Sequence, residues 1–346
     1  MPKRLANTIP HATSVLISLT LLPLLLLSLL LLLPGCAEER QQSALHPEGE
    51  PAQIIAGLWW FMFYLLGAVF IIVMGVAAWA VFRPRIEPGE GDADEPVGDR
   101  FIIVSGIALP SIVLVVLLVY SLTVTVSLRQ PDSAVTIEVI GHLWWWEVRY
   151  PDHGIITANE LHIPAGEPVH LKLSSADVVH SFWVPQLHGK MDMLPDHVNT
   201  FWIQAGRPGT YRGQCAEYCG EQHARMSFHV VALERDEFDQ WLARRAQPAR
   251  EPTTDVHRSG QRAFMEAGCN TCHAISGTEA HGRAGPDLTH MGSRPSIGAG
   301  QWPNNYANLA GWIANPQSLK PGNHMPRSYL DADELHEITT YLLSLE

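Results

Sequence analysis

Cys215-Ala216-Glu217-Tyr218-Cys219-Gly220-Glu221-Gln222-His223-Ala224-Arg225-Met226 gathers two thiols, an imidazole and a thioether into twelve residues. Thiolate and thioether ligands favour copper in its lower oxidation state, and imidazole suits both copper states. Cysteines four residues apart can point both sulfurs into one small space, where two metal ions would share them as bridges. Each ion then needs terminal ligands. His223 and Met226 supply two, and His180, in Val179-His180-Ser181-Phe182, is a candidate third from a neighbouring strand. Three plainer readings stand beside this one: a Cys215–Cys219 disulfide, structural zinc held with His180 and His223, and a mononuclear copper site with one idle cysteine.

The residues around this stretch read as short strands. Thr136-Ile137-Glu138-Val139-Ile140 and Val169-His170-Leu171-Lys172-Leu173 alternate apolar and polar, and Pro151, Gly154, Pro164, Gly166, Pro185 and Gly209 punctuate the runs. Such a pattern predicts an all-β antiparallel sandwich or barrel over residues 129–242.

Upstream the character changes. Two apolar runs without a charged residue, from about Ile54 to Phe82 and from about Phe101 to Leu128, each exceed the roughly 20 residues that a membrane span requires. They predict a transmembrane hairpin over residues 54–128. The connecting loop carries Arg83, Arg85 and Arg100, whereas residues 37–53 carry only Arg40. That bias puts the loop in the cytoplasm and both mature ends on the periplasmic or outer side. Residues 1–35 have the order of an export signal: Lys3 and Arg4, a leucine-rich run, then Leu33-Pro34-Gly35 before Cys36. The ending resembles a bacterial lipoprotein signal, with Cys36 as the lipidated first residue of the mature chain and 36–53 as a periplasmic segment. A plain transmembrane anchor with an incidental cysteine is the alternative.

Downstream, residues 243–258 read as a linker, with Pro248, Pro252 and several arginines but no apolar periodicity. Helical patterning resumes, and Cys269-Asn270-Thr271-Cys272-His273 follows. A C-x-x-C-H run reads as covalent c-type haem attachment, with the adjacent histidine as an axial iron ligand. A redox or zinc-binding cysteine pair is the alternative.

The chain has 346 residues and a formal net charge of −12. No segment is basic, which argues against nucleic acid as a partner. An acidic soluble face suits a basic protein partner.

Taken together, these motifs resemble subunit II of haem-copper cytochrome c oxidases with a C-terminally fused cytochrome c. The cysteine stretch looks like that family's copper A motif. Gly141-His142-Leu143-Trp144-Trp145-Trp146 resembles its aromatic segment, and His180-Ser181-Phe182-Trp183-Val184-Pro185 its first-histidine strand. The resemblance implies a multidomain membrane protein: two transmembrane helices, an all-β cupredoxin-like sandwich, and an all-α cytochrome c domain over 259–346. It implies a dinuclear copper A held by His180, Cys215, the carbonyl of Glu217, Cys219, His223 and Met226. The Glu217 side chain would reach a magnesium ion shared with subunit I. Trp144 would be the point of electron entry and partly exposed, whereas Trp146 would be structural. In the last domain Gly285-Pro286-Asp287-Leu288 and Lys320-Pro321-Gly322-Asn323-His324-Met325-Pro326 resemble a small cytochrome c, with His273 and Met325 as axial ligands. Met291, His324 and Met265 are less well placed.

The implied function is that of a terminal oxidase subunit, partnered by subunits I and III in a bacterial cell membrane. Electrons from cytochrome c or a cytochrome bc complex would pass through haem c and copper A to subunit I. Oxygen reduction and proton pumping would occur in that subunit. The alternative from another class is an electron-transfer component of a nitrogen-oxide reductase. A non-catalytic copper carrier is a third, and a quinol oxidase is disfavoured by the copper ligand set. Two departures stand out. Ile103 occupies the position where the family often has an acid near a proton path, the nearest acid being Asp99. Pro195-Asp196-His197 replaces the frequent Pro-Gly-Arg.

Overall fold

The computed structural model describes residues 42–83 and 95–346. The export-signal and Cys36 readings, together with Arg85 and most of its loop, lie outside them.

Helix α1 (Glu50–Phe82) begins four residues before the apolar run, because Pro51 is well suited to a first helical turn. Its partner is continuous through α2 (Glu95–Ile103), a π-helical stretch (Val104–Ala108) that contains Gly106, and α3 (Leu109–Ser127). Glu50–Phe82 and Gly98–Ser127 are long and apolar enough to cross a membrane. The two helices touch through Phe61 and Tyr120, whose ring centroids are 4.6 Å apart. Ile103 is exposed on the last turn of α2. The outer ends of the hairpin are stitched to the next domain. Trp202 Nε1 donates to the Leu128 carbonyl at 3.1 Å, and the Glu48 and Gly49 amides donate to Gln186 O at 2.8 and 3.0 Å.

Residues 136–233 form a sandwich of two five-stranded sheets. One contains β1 (Thr136–His142), β2 (Trp145–Tyr150), β3 (Ile155–Ala158), β5 (Val169–Ser175) and β8 (Asn199–Ile203), in the order β3-β2-β1-β5-β8. The other contains β4 (Glu160–Pro164), β6 (His180–Trp183), β7 (Lys190–Met193), β9 (Gly209–Cys215) and β10 (Ser227–Leu233), in the order β4-β10-β9-β6-β7. The sandwich is mixed rather than wholly antiparallel: β1 runs parallel to β5, and β4 to β10. Strand alternation reports which face is buried, not which neighbour a strand pairs with, so these pairings were not legible beforehand. Ile137, Val139, Val148, Leu171, Leu173, Phe182 and Val230 fill the interior around fully buried Trp146.

Helix α4 (Arg235–Arg245) closes the sandwich, and α5 (Asp255–Glu266) opens the last domain. The connection is therefore 246–254, shorter at both ends than the expected 243–258. Thr254 caps α5 by accepting from the His257 amide at 3.3 Å, and Asp255 favours the first turn. The remaining helices are α6 (Tyr306–Ala314), α7 (Pro316–Leu319) and α8 (Ala332–Leu343), with a minimal ribbon of β11 (Ser296–Ile297) and β12 (Trp302–Pro303). Helices α5 and α8 cross at Gly260, where a Cβ would lie 2.1 Å from the Glu337 carbonyl. Phe264 and Tyr341 pack edge to face beside the crossing.

Candidate metal centre and haem cavity

The end of β9, the following loop and β6 bring the sulfur and nitrogen ligands together. Cys215 Sγ lies 3.7 Å from Cys219 Sγ, far beyond the roughly 2.05 Å of a disulfide. His180 Nδ1 is 3.8 Å from Cys215 Sγ, His223 Nδ1 is 3.7 Å from Cys219 Sγ, and Met226 Sδ is 3.8 Å from Cys219 Sγ. The Glu217 carbonyl is 3.2 Å from Cys215 Sγ. His180, Cys215 and Cys219 are all buried. The two sulfurs thus form the middle of the cluster, with one histidine at each side. That arrangement suits two metal ions bridged by the pair.

The electrostatics fit thiolate ligation. The hydrogen bond from Cys219 holds the Cys215 thiol down to about 3 against the opposing effect of burial, and the same pairing pushes Cys219 up. Metal binding at these sulfurs would release any protons they carry. Burial works to lower the His180 pKa, but the hydrogen bond from its Nε2 to Asp177 Oδ1 (2.9 Å) and the Cys215 sulfur beside its Nδ1 together outweigh this and raise it. Asp177 leaves Nδ1 turned toward sulfur, as carboxylates behind ligating histidines do. Its second oxygen accepts from the Leu143 amide at 2.8 Å, so one carboxylate braces both the histidine and the turn into Trp144.

Trp144 is half-buried beside the cluster, and its Nε1 donates to the Cys219 carbonyl at 3.0 Å. Gly220, at φ 110°, lies under the indole; a Cβ there would be 3.2 Å from the ring. Glu217 turns its side chain outward, 44% exposed, with Lys190 Nζ at 3.4 Å. At Pro195-Asp196-His197 the chain keeps a left-handed turn, with Asp196 at φ 56°. Aspartate tolerates that region, so the absent glycine does not cost the turn.

Trp144 also lines the second feature, a cavity of about 690 Å³ in the last domain. Its wall includes Cys269, Cys272, His273, Met291, Arg294 and Met325. Cys269 and Cys272 are both free thiols. His273 Nδ1 is held by the Pro286 carbonyl at 2.7 Å, which leaves Nε2 for an iron. Burial lowers the His273 pKa and keeps the ring neutral. Gly285 lets the ring lie close, since a Cβ would come within 2.6 Å of His273 Cε1. Opposite, Met325 is set by its amide donating to Asn323 Oδ1 (2.9 Å) and its carbonyl accepting from Gln317 (2.8 Å). Met291 is 5% exposed and packed into the core, its sulfur 3.9 Å from the Arg294 guanidinium. His324 packs tilted against Trp144, with centroids 5.4 Å apart. Arg294 Nε is buried with no partner in the cavity wall, which suits an acidic group on a ligand.

Sequence reasoning missed the residues between the domains. Glu160, from β4, and Arg294, from the last domain, are buried, and half-buried Arg245 at the end of α4 lies 3.8 Å from Glu160. Lys320, 2% exposed, also lies there. Burial, aided by Arg225, brings its amine down to about 7. Only their charge and the shortness of the connection hinted at this.

The family profile for the periplasmic domain of cytochrome c oxidase subunit II matches residues 154–233, and that for cytochrome c matches 258–346. Cytochrome c oxidase subunit 2 of Alkalihalophilus pseudofirmus is 38% identical over 333 residues, covering 92% of this chain and 95% of that protein. The chain belongs to the cytochrome c oxidase subunit II family. The subunit 2 of Bacillus subtilis is 31% identical, covering 93% of this chain and 97% of its own length. A relative described as quinol oxidase subunit 2, from Bacillus anthracis, is 31% identical over only 68% of this chain. The match thus extends over a subunit II periplasmic domain and a fused cytochrome c domain, preceded by two helices long and apolar enough to cross a membrane.

Proposed function

We propose that this chain takes electrons from cytochrome c or a cytochrome bc complex at its fused cytochrome domain and delivers them to subunit I, for reduction of oxygen to water coupled to proton pumping. The observation that carries this reading is the double engagement of Trp144. Its ring lines the cavity between Cys269 and Met325, and its Nε1 bonds the carbonyl of Cys219. Copper A and haem c, when bound, would each supply a one-electron carrier.

The residues fit both groups. His180, Cys215, the Glu217 carbonyl, Cys219, His223 and Met226 would hold two coppers. A closed set of buried sulfur and nitrogen donors limits reorganisation around them. Asp177 orients His180, and burial excludes water. Cys269 and Cys272 would carry the haem thioethers, with His273 and Met325 as axial ligands; that pairing raises the potential of a haem. Arg294 would meet a haem carboxylate. Glu217 would reach a magnesium ion shared with subunit I only by releasing Lys190. Electron entry moves from Trp144 to the haem domain that covers it, and the short connection 246–254 keeps that domain at high effective concentration. The hairpin would place these domains on the outer face of a bacterial cell membrane beside subunits I and III, with Arg83 and Arg100 flanking the inner loop.

Purified complex containing this chain should consume oxygen with reduced cytochrome c, and Cys215→Ser should abolish uptake while leaving covalent haem in place. Nitrogen-oxide reduction without oxygen uptake would overturn the reading.

A further inference from the structure

We propose that Lys320 is a positioning residue that pins the cytochrome domain to Trp144 and thereby sets the geometry of electron exchange between the two soluble domains. The inference rests on the electron path proposed above and names what holds that path together.

Lys320 follows α7 and opens the loop that carries Met325. Its Nζ donates to the Trp144 carbonyl at 3.0 Å and to the Gly298 carbonyl at 3.4 Å, one acceptor from each domain. Among the described residues no carboxylate lies within salt-bridge reach of it. A buried amine without a counter-ion is costly, and a methionine of similar length would fill the space without that cost. The bonds themselves are therefore what the lysine contributes, and the amine donates them whether or not it is charged.

Its neighbours repeat the pattern. Arg225 donates to the Leu319 carbonyl at 2.9 Å, and Gln222 donates to the Pro321 carbonyl. Gly322 takes a left-handed φ of 83°, which favours glycine, and sits against the Glu221 carboxylate. Leu319, Pro321 and Gly322 thus lie against the loop that carries the copper ligands. Between them, Lys320 reaches the tryptophan. The resulting chain of bonds runs from the Met325 loop through Lys320 to the Trp144 backbone, and from the Trp144 indole to Cys219. Contacts such as Ser227 to Ala299 (2.8 Å) join the domains elsewhere, so losing the pin should misalign them rather than separate them.

The test uses the full chain with both metal groups loaded. Haem is photoreduced by a ruthenium flash, and oxidation of the haem is followed as copper A is reduced, in buffers of increasing viscosity. Wild type should transfer in one fast phase that ignores viscosity. Lys320→Met should keep the copper near-infrared band, the haem spectrum and both midpoint potentials, yet transfer roughly tenfold or more slowly, because misplacement by about 1 Å can cost up to 10²-fold. Its rate should also fall as viscosity rises, since transfer would wait on re-alignment. Lys320→Gln, which keeps a donor, should lie between them and serves if the methionine variant fails to load its metals. A variant rate equal to wild type, or a wild-type rate that already follows viscosity, would overturn the proposal. Absence of any haem-to-copper transfer in wild type would instead overturn the electron path on which it rests.

Discussion

Asp177→Asn isolates the support behind the metal centre without touching a ligand. One carboxylate oxygen of Asp177 accepts from His180 Nε2 at 2.9 Å and from the Val178 amide at 2.7 Å, and the other accepts from the Leu143 amide at 2.8 Å. These bonds outweigh burial and hold the Asp177 carboxyl below its usual range. An asparagine has one oxygen for these three donors. If the oxygen faces His180, the new amide NH₂ meets the Leu143 N–H, donor against donor. If it faces Leu143, His180 loses its acceptor and its preferred ring orientation. The first orientation loses one bond to a charged group, about 1.5–3 kcal/mol, and the second loses two, because Val178 shares the oxygen that His180 uses. The expected loss in copper affinity is about 10–100-fold, the usual consequence of removing a carboxylate behind a ligating histidine. The two figures agree, since each tenfold corresponds to about 1.4 kcal/mol. A competition titration against a copper chelator, read at the near-infrared band, measures the change. Unchanged copper affinity, with the protein folded, would refute the role given to Asp177 and the ligation through His180 Nδ1.

Glu160→Ala should cost about 1–3 kcal/mol in denaturant unfolding, because it removes the buried carboxylate that faces buried Arg294 and half-buried Arg245. A loss under about 1 kcal/mol would mean that the cluster behaves as an exposed pair. Burial works to raise the Glu147 pKa, but hydrogen bonds from His142 and Arg149 outweigh it and leave it lowered. Its contribution to stability is therefore present above the unfolded carboxyl pKa of about 4.3 and is lost as pH falls through the folded value. Glu147→Gln should flatten the acid limb of a melting-temperature profile below pH of about 4 and leave the rest; an unaltered acid limb would contradict this. Gly285→Ala forces a Cβ to within 2.6 Å of His273, so the ring must move. It should destabilise the domain by about 1–3 kcal/mol and disturb the haem spectrum, and a normal spectrum would show that His273 is not the ligand.

The parts of this molecule that local chemistry dictates were legible in the sequence. Cys215, Cys219, His223 and Met226 share one loop, so their spacing already implied a common site, and Cys269-Asn270-Thr271-Cys272-His273 carried its meaning in five residues. The apolar runs of the hairpin showed their length directly. What remained hidden was set by residues far apart in the chain. Asp177, in no motif, meets Leu143 across 34 positions, and Lys320, whose motif pointed only to haem, meets Trp144 across 176. The same limit applied to the parallel pairings of β1 with β5 and β4 with β10. The connection between the domains read as a loose tether from its prolines and charges. In the fold the Ala249 amide donates to the Ser276 carbonyl at 2.9 Å, and Arg245, just before the connection, donates to Ser293 Oγ at 2.6 Å.

The most direct measurement is metal and haem stoichiometry on the intact purified protein. The arrangement of Cys215 and Cys219 between two histidines predicts two coppers and one covalent haem per chain, falling to no copper pair in Cys215→Ser with the haem retained. Zinc in place of copper, a single copper, or an S–S bond between those cysteines in fresh material would contradict it.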